Sequence, residues 1–121
     1  MPHFMIQALK AGELGEAWPL VRSSGCYANV DWWVTSAEEI IRRGGGVLAA
    51  RAKDGRIHGV ATFMVPGDIT TDGVLTIPTL ITFELSRGAP ARSALLRALE
   101  RTATKFGCTH LILPLTGKRA A

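Results

Sequence analysis

The chain has 121 residues, 47% hydrophobic and 20% charged, with a formal net charge of +4 at pH 7, a size and balance that suit one small globular domain over residues 1–121. No apolar run approaches the roughly 20 residues that a membrane-spanning helix needs, and the start, MPHFMIQALK, lacks the basic-then-apolar layout of a signal peptide, so the expected location is the cytoplasm. The basic residues are scattered among acidic ones, with no block of like charge and no nucleic-acid motif, which argues against nucleic acid, and a modest basic excess suits an anionic small ligand equally well.

Residues 4–9 alternate weakly and predict a first strand. Residues 12–24 (GELGEAWPLVRSS) carry Leu14, Ala17, Trp18 and Val21 at helical spacing. Pro19 removes a hydrogen bond in the middle of that run and predicts a kink. Residues 25–34 (GCYANVDWWV) hold the only tyrosine and two of the three tryptophans but define no element. Thr35-Ser36-Ala37-Glu38 reads as a capping box that opens a short second helix over residues 36–43, stopped by Gly44-Gly45-Gly46.

Residues 47–53 and 57–65 flank Asp54-Gly55, a strong hairpin signal between β-prone runs. Residues 66–73 (PGDITTDG) are turn-rich. Residues 74–85 (VLTIPTLITFEL) predict a long strand, with Pro78 marking a bulge or an interruption of the ladder. A helix over residues 90–106 follows from Leu95, Leu96, Leu99, Ala103 and Phe106, with Pro90 in its first turn and Gly107 at its C-cap. Residues 109–115 (THLILPL) close the order as β-α-α-β-β-β-α-β. The two cysteines, Cys26 and Cys108, and the three histidines show no metal-ligand spacing, so reduced thiols and no metal are expected.

The turn between the long strand and the last helix aims backbone N–H groups and the positive helix end at one point, flanked by Arg87 and Arg92. An ordinary solvated helix start would look the same. The run Arg87-Gly88-Ala89-Pro90-Ala91-Arg92, followed by Leu95-Leu96, resembles the pyrophosphate-binding turn, [RQ]-x-x-G-x-[GA], and the following helix of the GNAT acetyltransferase superfamily. Arg87 takes the first motif position, and the two glycines fall on Pro90 and Arg92. Pro90 cannot donate an amide and Arg92 is bulky. Either the Arg92 guanidinium replaces the lost amide contact, or the site has decayed and the fold survives alone.

The resemblance covers residues 4–115 and implies an α/β (α+β) GNAT-like acyl-CoA N-acyltransferase fold, with a mixed, mostly antiparallel sheet. In it the final strand lies parallel to the long one, through a crossover that the residue 90–106 helix supplies. It also implies that the usual C-terminal helix and strands are lacking. Acetyl-CoA or another acyl-CoA is the implied co-substrate. Leu80, Ile81 and Thr82 match the strand positions whose backbone holds the pantetheine and polarises the acyl carbonyl, and Arg87, Gly88, Ala89, Ala91, Arg92 and Ser93 match the phosphate turn.

Tyr27, Trp32 and Trp33 fall in the segment that walls the acceptor pocket in this superfamily, although aromatics there also simply cover a sheet. The family's Glu base falls on Pro114 and its Asn on Arg119, and its usual tyrosine has no counterpart. Glu84 and Asp72, with Asp68, are then the candidate bases and Tyr27 the candidate acid. The implied activity is direct transfer of an acetyl group to a small amine or peptide. The alternative is a non-catalytic module of the same fold that binds a ligand or a partner. Residues 109–115 would form an apolar edge suited to a homodimer.

Overall fold

The computed structural model describes residues 4–65 and 73–114. Five strands, β1 (Met5–Ala8), β2 (Gly46–Arg51), β3 (Ile57–Met64), β4 (Val74–Thr82) and β5 (His110–Ile112), lie side by side in chain order. The first three pairings are antiparallel and β4–β5 is parallel. That parallel step requires a crossover, which helix α3 (Pro90–Lys105) provides. Helices α1 (Trp18–Ser24) and α2 (Val30–Arg42) cover the opposite face.

Alternation along β2 shows why both faces are covered. Val47 and Ala49 enter the core beneath α1 and α2 with Trp33 and Ala37, while Leu48 and Ala50 point to α3 and its Leu95 and Leu99. The central strands are mostly apolar on both faces, as expected for a sheet buried on two sides. β3 is buried from Gly59 to Phe63.

Local chemistry sets the helix boundaries. A 3₁₀ segment, Ala11–Ala17, precedes α1, and Pro19 falls in the first turn of α1. The predicted kink is therefore a change of helix type, placed where the missing proline amide costs least. The second helix begins at Val30, not at residue 36. Asn29 caps it, its side-chain oxygen accepting from Trp32 N at 2.8 Å, so Thr35 and Ser36 lie within the helix and the expected capping box does not form.

At the end of α3, Cys108 N donates to Ala103 O at 2.7 Å and Gly107 N to Thr104 O at 3.0 Å, with Gly107 at φ 74°. This is the double bond pattern of a Schellman stop. Cys108 is buried there and Cys26 is exposed, both as free thiols. No helix among the described residues is long and apolar enough to cross a membrane.

The hairpin turn forms as expected, with Gly55 at φ 88° and Asp54 Oδ1 accepting from Arg56 N at 2.9 Å. The predicted irregularity at Pro78 is a bulge. Thr62 stands opposite Thr79 and Met64 opposite Thr76, so Phe63 alone faces Ile77 and Pro78. Leu75 and Ile77 lie in the α3 core, whereas beyond the bulge it is Leu80 that does so and Ile81 turns to the other core. The extra residue inverts the faces of the strand. The strand ends at Thr82, three residues before the predicted end at residue 85.

Gly45 makes the α2–β2 junction possible, because a Cβ there would stand 2.1 Å from Phe63 O, a backbone atom that cannot move aside. Gly45→Ala is expected to lower unfolding free energy by about 2–3 kcal/mol. Gly15→Ala, where a Cβ meets nothing within 4 Å, is expected to be neutral or to stabilise by about 0.5–1 kcal/mol. Urea denaturation of the two variants checks the pair.

Candidate functional site

Among the described residues β5 pairs with β4 at residues 74, 75 and 76, through His110, Leu111 and Ile112. Above the bulge β4 continues to Thr82 with β3 on one side and no ladder partner among the described residues on the other. Phe83 N donates to His58 O at 2.7 Å. In an antiparallel ladder hydrogen-bonded pairs alternate, so Phe83, Ile81 and Thr79 turn their backbone groups toward β3, and Leu80 and Thr82 turn theirs toward the opening. Of the three strand residues predicted to hold a ligand through backbone, Leu80 and Thr82 are placed to do so. Ile81 is not, since the ladder to Val60 takes its amide and carbonyl.

The base of this opening has a polar core. Thr62 and Thr79 are the buried polar residues among those described, and they face each other across β3 and β4. Tyr27 OH and Thr79 Oγ1 share a hydrogen bond of 2.9 Å, while Thr62 Oγ1 has no partner among the described residues. The tyrosine ring meets Trp32 and Trp33 edge-on, with centroids at 5.6 and 5.4 Å. The α1–α2 connection is thereby pinned to the first residue beyond the bulge.

Trp33, expected as a pocket residue, is fully buried, and its Nε1–H donates to Leu14 O at 2.8 Å. It belongs to the core, because the helix begins early enough to turn position 33 inward beside Ala37 and Ile40. Trp32 is 52% exposed and Tyr27 half-buried, so these two remain able to meet a ligand. Thr79 and Thr62 were missed from sequence. Their signal was weak: threonine is a common strand residue, and the bulge decides which face each one takes.

The turn into α3 differs more sharply from expectation. Gly88 and Ala89 are both left-handed, at φ 86° and 47°, and Ala89 is the one described non-glycine residue with positive φ. Pro90 has no amide. Ser93 N donates to Ala89 O at 2.9 Å within the helix. The two remaining first-turn amides, Ala91 N and Arg92 N, donate to the Glu84 carboxylate, at 3.1 Å to Oε1 and 2.9 Å to Oε2. Glu84 thus caps α3 with both oxygens.

A carboxylate at a helix N-terminus is stabilised by the free amides and by the helix dipole. Glu84, a candidate base from sequence, is held in that role, five residues and roughly 16 Å of extended chain from Thr79. The structure does not bring it together with Tyr27. Asp72, the other candidate base, and Asp68 lie outside the described residues. Arg87 is exposed and Arg92 partly buried, and neither forms an ion pair among the described residues. No group of three or more His, Cys, Asp or Glu among the described residues could hold a metal ion.

No protein-family model matches the chain, and no curated protein matches it in sequence. Solved structures do resemble it. An acetyltransferase of Trypanosoma brucei is 22% identical, over 95% of this chain and 84% of its own, with a TM-score of 0.72. Aminoglycoside N-acetyltransferase AAC(6')-Iy, in complex with CoA, is 19% identical over 98% and 80%, with a TM-score of 0.77. Ribosomal-protein-alanine N-acetyltransferase from Brucella melitensis biovar Abortus 2308 is 21% identical over 95% and 82%, with a TM-score of 0.73. The fold is that of the GNAT acetyltransferases, as the turn and the Leu95-Leu96 helix implied.

The Tyr27–Thr79 contact predicts a measurable coupling. Tyr27→Phe and Thr79→Val are each expected to cost about 1 kcal/mol in urea unfolding, and the double variant less than the sum by about 0.5–1.5 kcal/mol. Strictly additive losses would show that the hydroxyl pair does not hold the α1–α2 connection to β4.

Proposed function

We propose that this chain is an acyl-CoA-dependent N-acetyltransferase that moves the acetyl group directly to a small amine or to the amine of a peptide. The observation that carries this reading is the open side of β4 beyond the Pro78 bulge. An extended pantetheine arm has amide groups that pair with the outward backbone of Leu80 and Thr82 in the way an added strand would. The CoA complex among the similar structures supports this choice of ligand. Arg87 and Arg92 supply the positive charge that its phosphates require.

In this reading the amine attacks the thioester carbonyl carbon, and an outward β4 amide stabilises the oxyanion that develops. Collapse of the tetrahedral intermediate breaks the carbon–sulfur bond and expels the CoA thiolate, to which Tyr27 OH delivers a proton. Deprotonation of the amine falls to Asp72 or to water. Tyr27 is suited to its role because the Thr79 bond fixes its hydroxyl just beyond the bulge. Trp32, exposed beside it, walls the acceptor side.

A second reading, a non-catalytic module of the same fold, is favoured by Glu84, which already fills the first turn of α3. The outer edge of β5 bears on this reading too. Among the described residues β5 is the last strand of the sheet, with Ile112 and Leu113 54% and 37% exposed, an apolar edge of the kind that pairs with a second copy. A homodimer through this edge is compatible with either reading.

Titration calorimetry with acetyl-CoA is expected to show micromolar binding, weakened on the order of tenfold in Arg92→Ala. Absence of heat and of thermal shift up to millimolar ligand would leave the non-catalytic module as the better account. Light scattering is expected to show a dimer that Ile112→Lys converts to a monomer. A monomeric wild type at high concentration would remove the edge-pairing proposal.

A further inference from the structure

Thr62 is fully buried, and its Oγ1 has no partner among the described residues. It stands directly opposite Thr79 in the β3–β4 ladder, so the two side chains share one face of the sheet. Opposite Cβ atoms in such a pair are about 4.5–5.5 Å apart, close enough for hydroxyls between them to bond once a χ1 rotation turns Thr62 Oγ1 across. We propose that Thr62 is a positioning residue for Tyr27, acting through Thr79: its hydroxyl fixes the direction of the hydrogen bond that Thr79 and Tyr27 share. The use made of the oriented proton rests on the acetyl-transfer reading, but the direction of the bond does not.

Direction matters because each hydroxyl carries one proton. Either oxygen can be the donor across the 2.9 Å between Tyr27 and Thr79. A phenol is a stronger donor than an aliphatic hydroxyl, so the pair left to itself bonds with Tyr27 as donor, and the tyrosine proton is then committed to Thr79. Thr62 O–H reverses this. By donating to Thr79 Oγ1 it occupies a lone pair there and sends the Thr79 proton to the Tyr27 oxygen, which leaves the Tyr27 proton free for another acceptor. The indole N–H of Trp33, whose ring meets Tyr27, does not compete, because it is given to Leu14 O. The three hydroxyls then form one chain, from Thr62 through Thr79 to Tyr27, with every donor aligned.

In acetyl transfer the consequence falls on the leaving thiolate. The Tyr27 O–H bond breaks and an S–H bond forms, and the negative charge left on the tyrosine oxygen meets a Thr79 proton already directed at it. Water then returns the proton to Tyr27. Packing alone does not call for the hydroxyl at position 62, since valine fills nearly the same volume without burying a polar atom.

Tyr27 is the single tyrosine of the chain, so the tyrosine Fermi doublet in its Raman spectrum reports one hydroxyl. The intensity ratio of the two bands is high for a phenol oxygen that accepts and low for a phenol that donates. Wild type is expected to show the accepting ratio, Thr62→Val the donating ratio, and Thr62→Ser the wild-type ratio. In a Thr79→Val background, Thr62→Val is expected to leave the doublet unmoved. Urea is expected to unfold Thr62→Val at a lower midpoint than wild type, whereas loss of an idle buried hydroxyl would raise it. A donating ratio in wild type, a ratio that folded Thr62→Val does not change, or a raised midpoint overturns the proposal. Thermal shift of wild type with acetyl-CoA is read separately: its absence removes the thiolate from the account, and the doublet still decides whether Thr62 orients Tyr27.

Discussion

A single extra residue in β4 organises the molecule. Up to Ile77 the strand faces α3 with its odd positions and pairs with β5. After Pro78 the odd positions face α1 and α2, and β5 no longer accompanies it. Proline is suited to this point because it has no amide to lose from the ladder. The inversion lets one strand contribute to two cores, and the parting of β4 from β5 leaves the outward side of β4 without a ladder partner among the described residues.

The two covered faces serve that opening differently. On the α1–α2 side, Asn29 starts α2 early enough to bury Trp33 and to present Trp32 outward, and Tyr27 reaches across to Thr79. That side makes a firm wall of aromatic and hydroxyl groups. On the α3 side the helix is anchored by Ala91, Leu95, Leu99 and Ala103 and closed by the Schellman turn at Gly107. Its N-terminus is satisfied by Glu84, so the stability of the helix and the occupancy of the turn are the same interaction.

Activity on this fold is decided by site chemistry. The strand–turn–helix unit is part of the fold that the chain shares with the acetyltransferase structures. The resemblance of the sequence puts Pro90 and Arg92 at the positions of the turn glycines and Pro114 where some members of the superfamily carry a base. At this turn Glu84 accepts from both the Ala91 and the Arg92 amides, so the first turn of α3 is not an open cradle of N–H groups.

The sequence by itself determined the order of elements, the hairpin at Asp54-Gly55, the α3 helix with its glycine stop, and an irregularity of the ladder at Pro78. Each of these follows from a residue whose backbone preference acts locally, so neighbours in the chain suffice to read it. Tertiary structure decided the rest. Asn29 outcompeted Thr35 as a cap because the longer helix buries Trp33, a gain that appears only once the helix packs on the sheet. Whether Leu80, Ile81 or Thr82 faces the opening depended on the ladder phase with β3, which an unpaired strand does not have. The role of Glu84 depended on a meeting between residues 84, 91 and 92 across the turn, and only the left-handed path through Gly88 and Ala89 brings those three together.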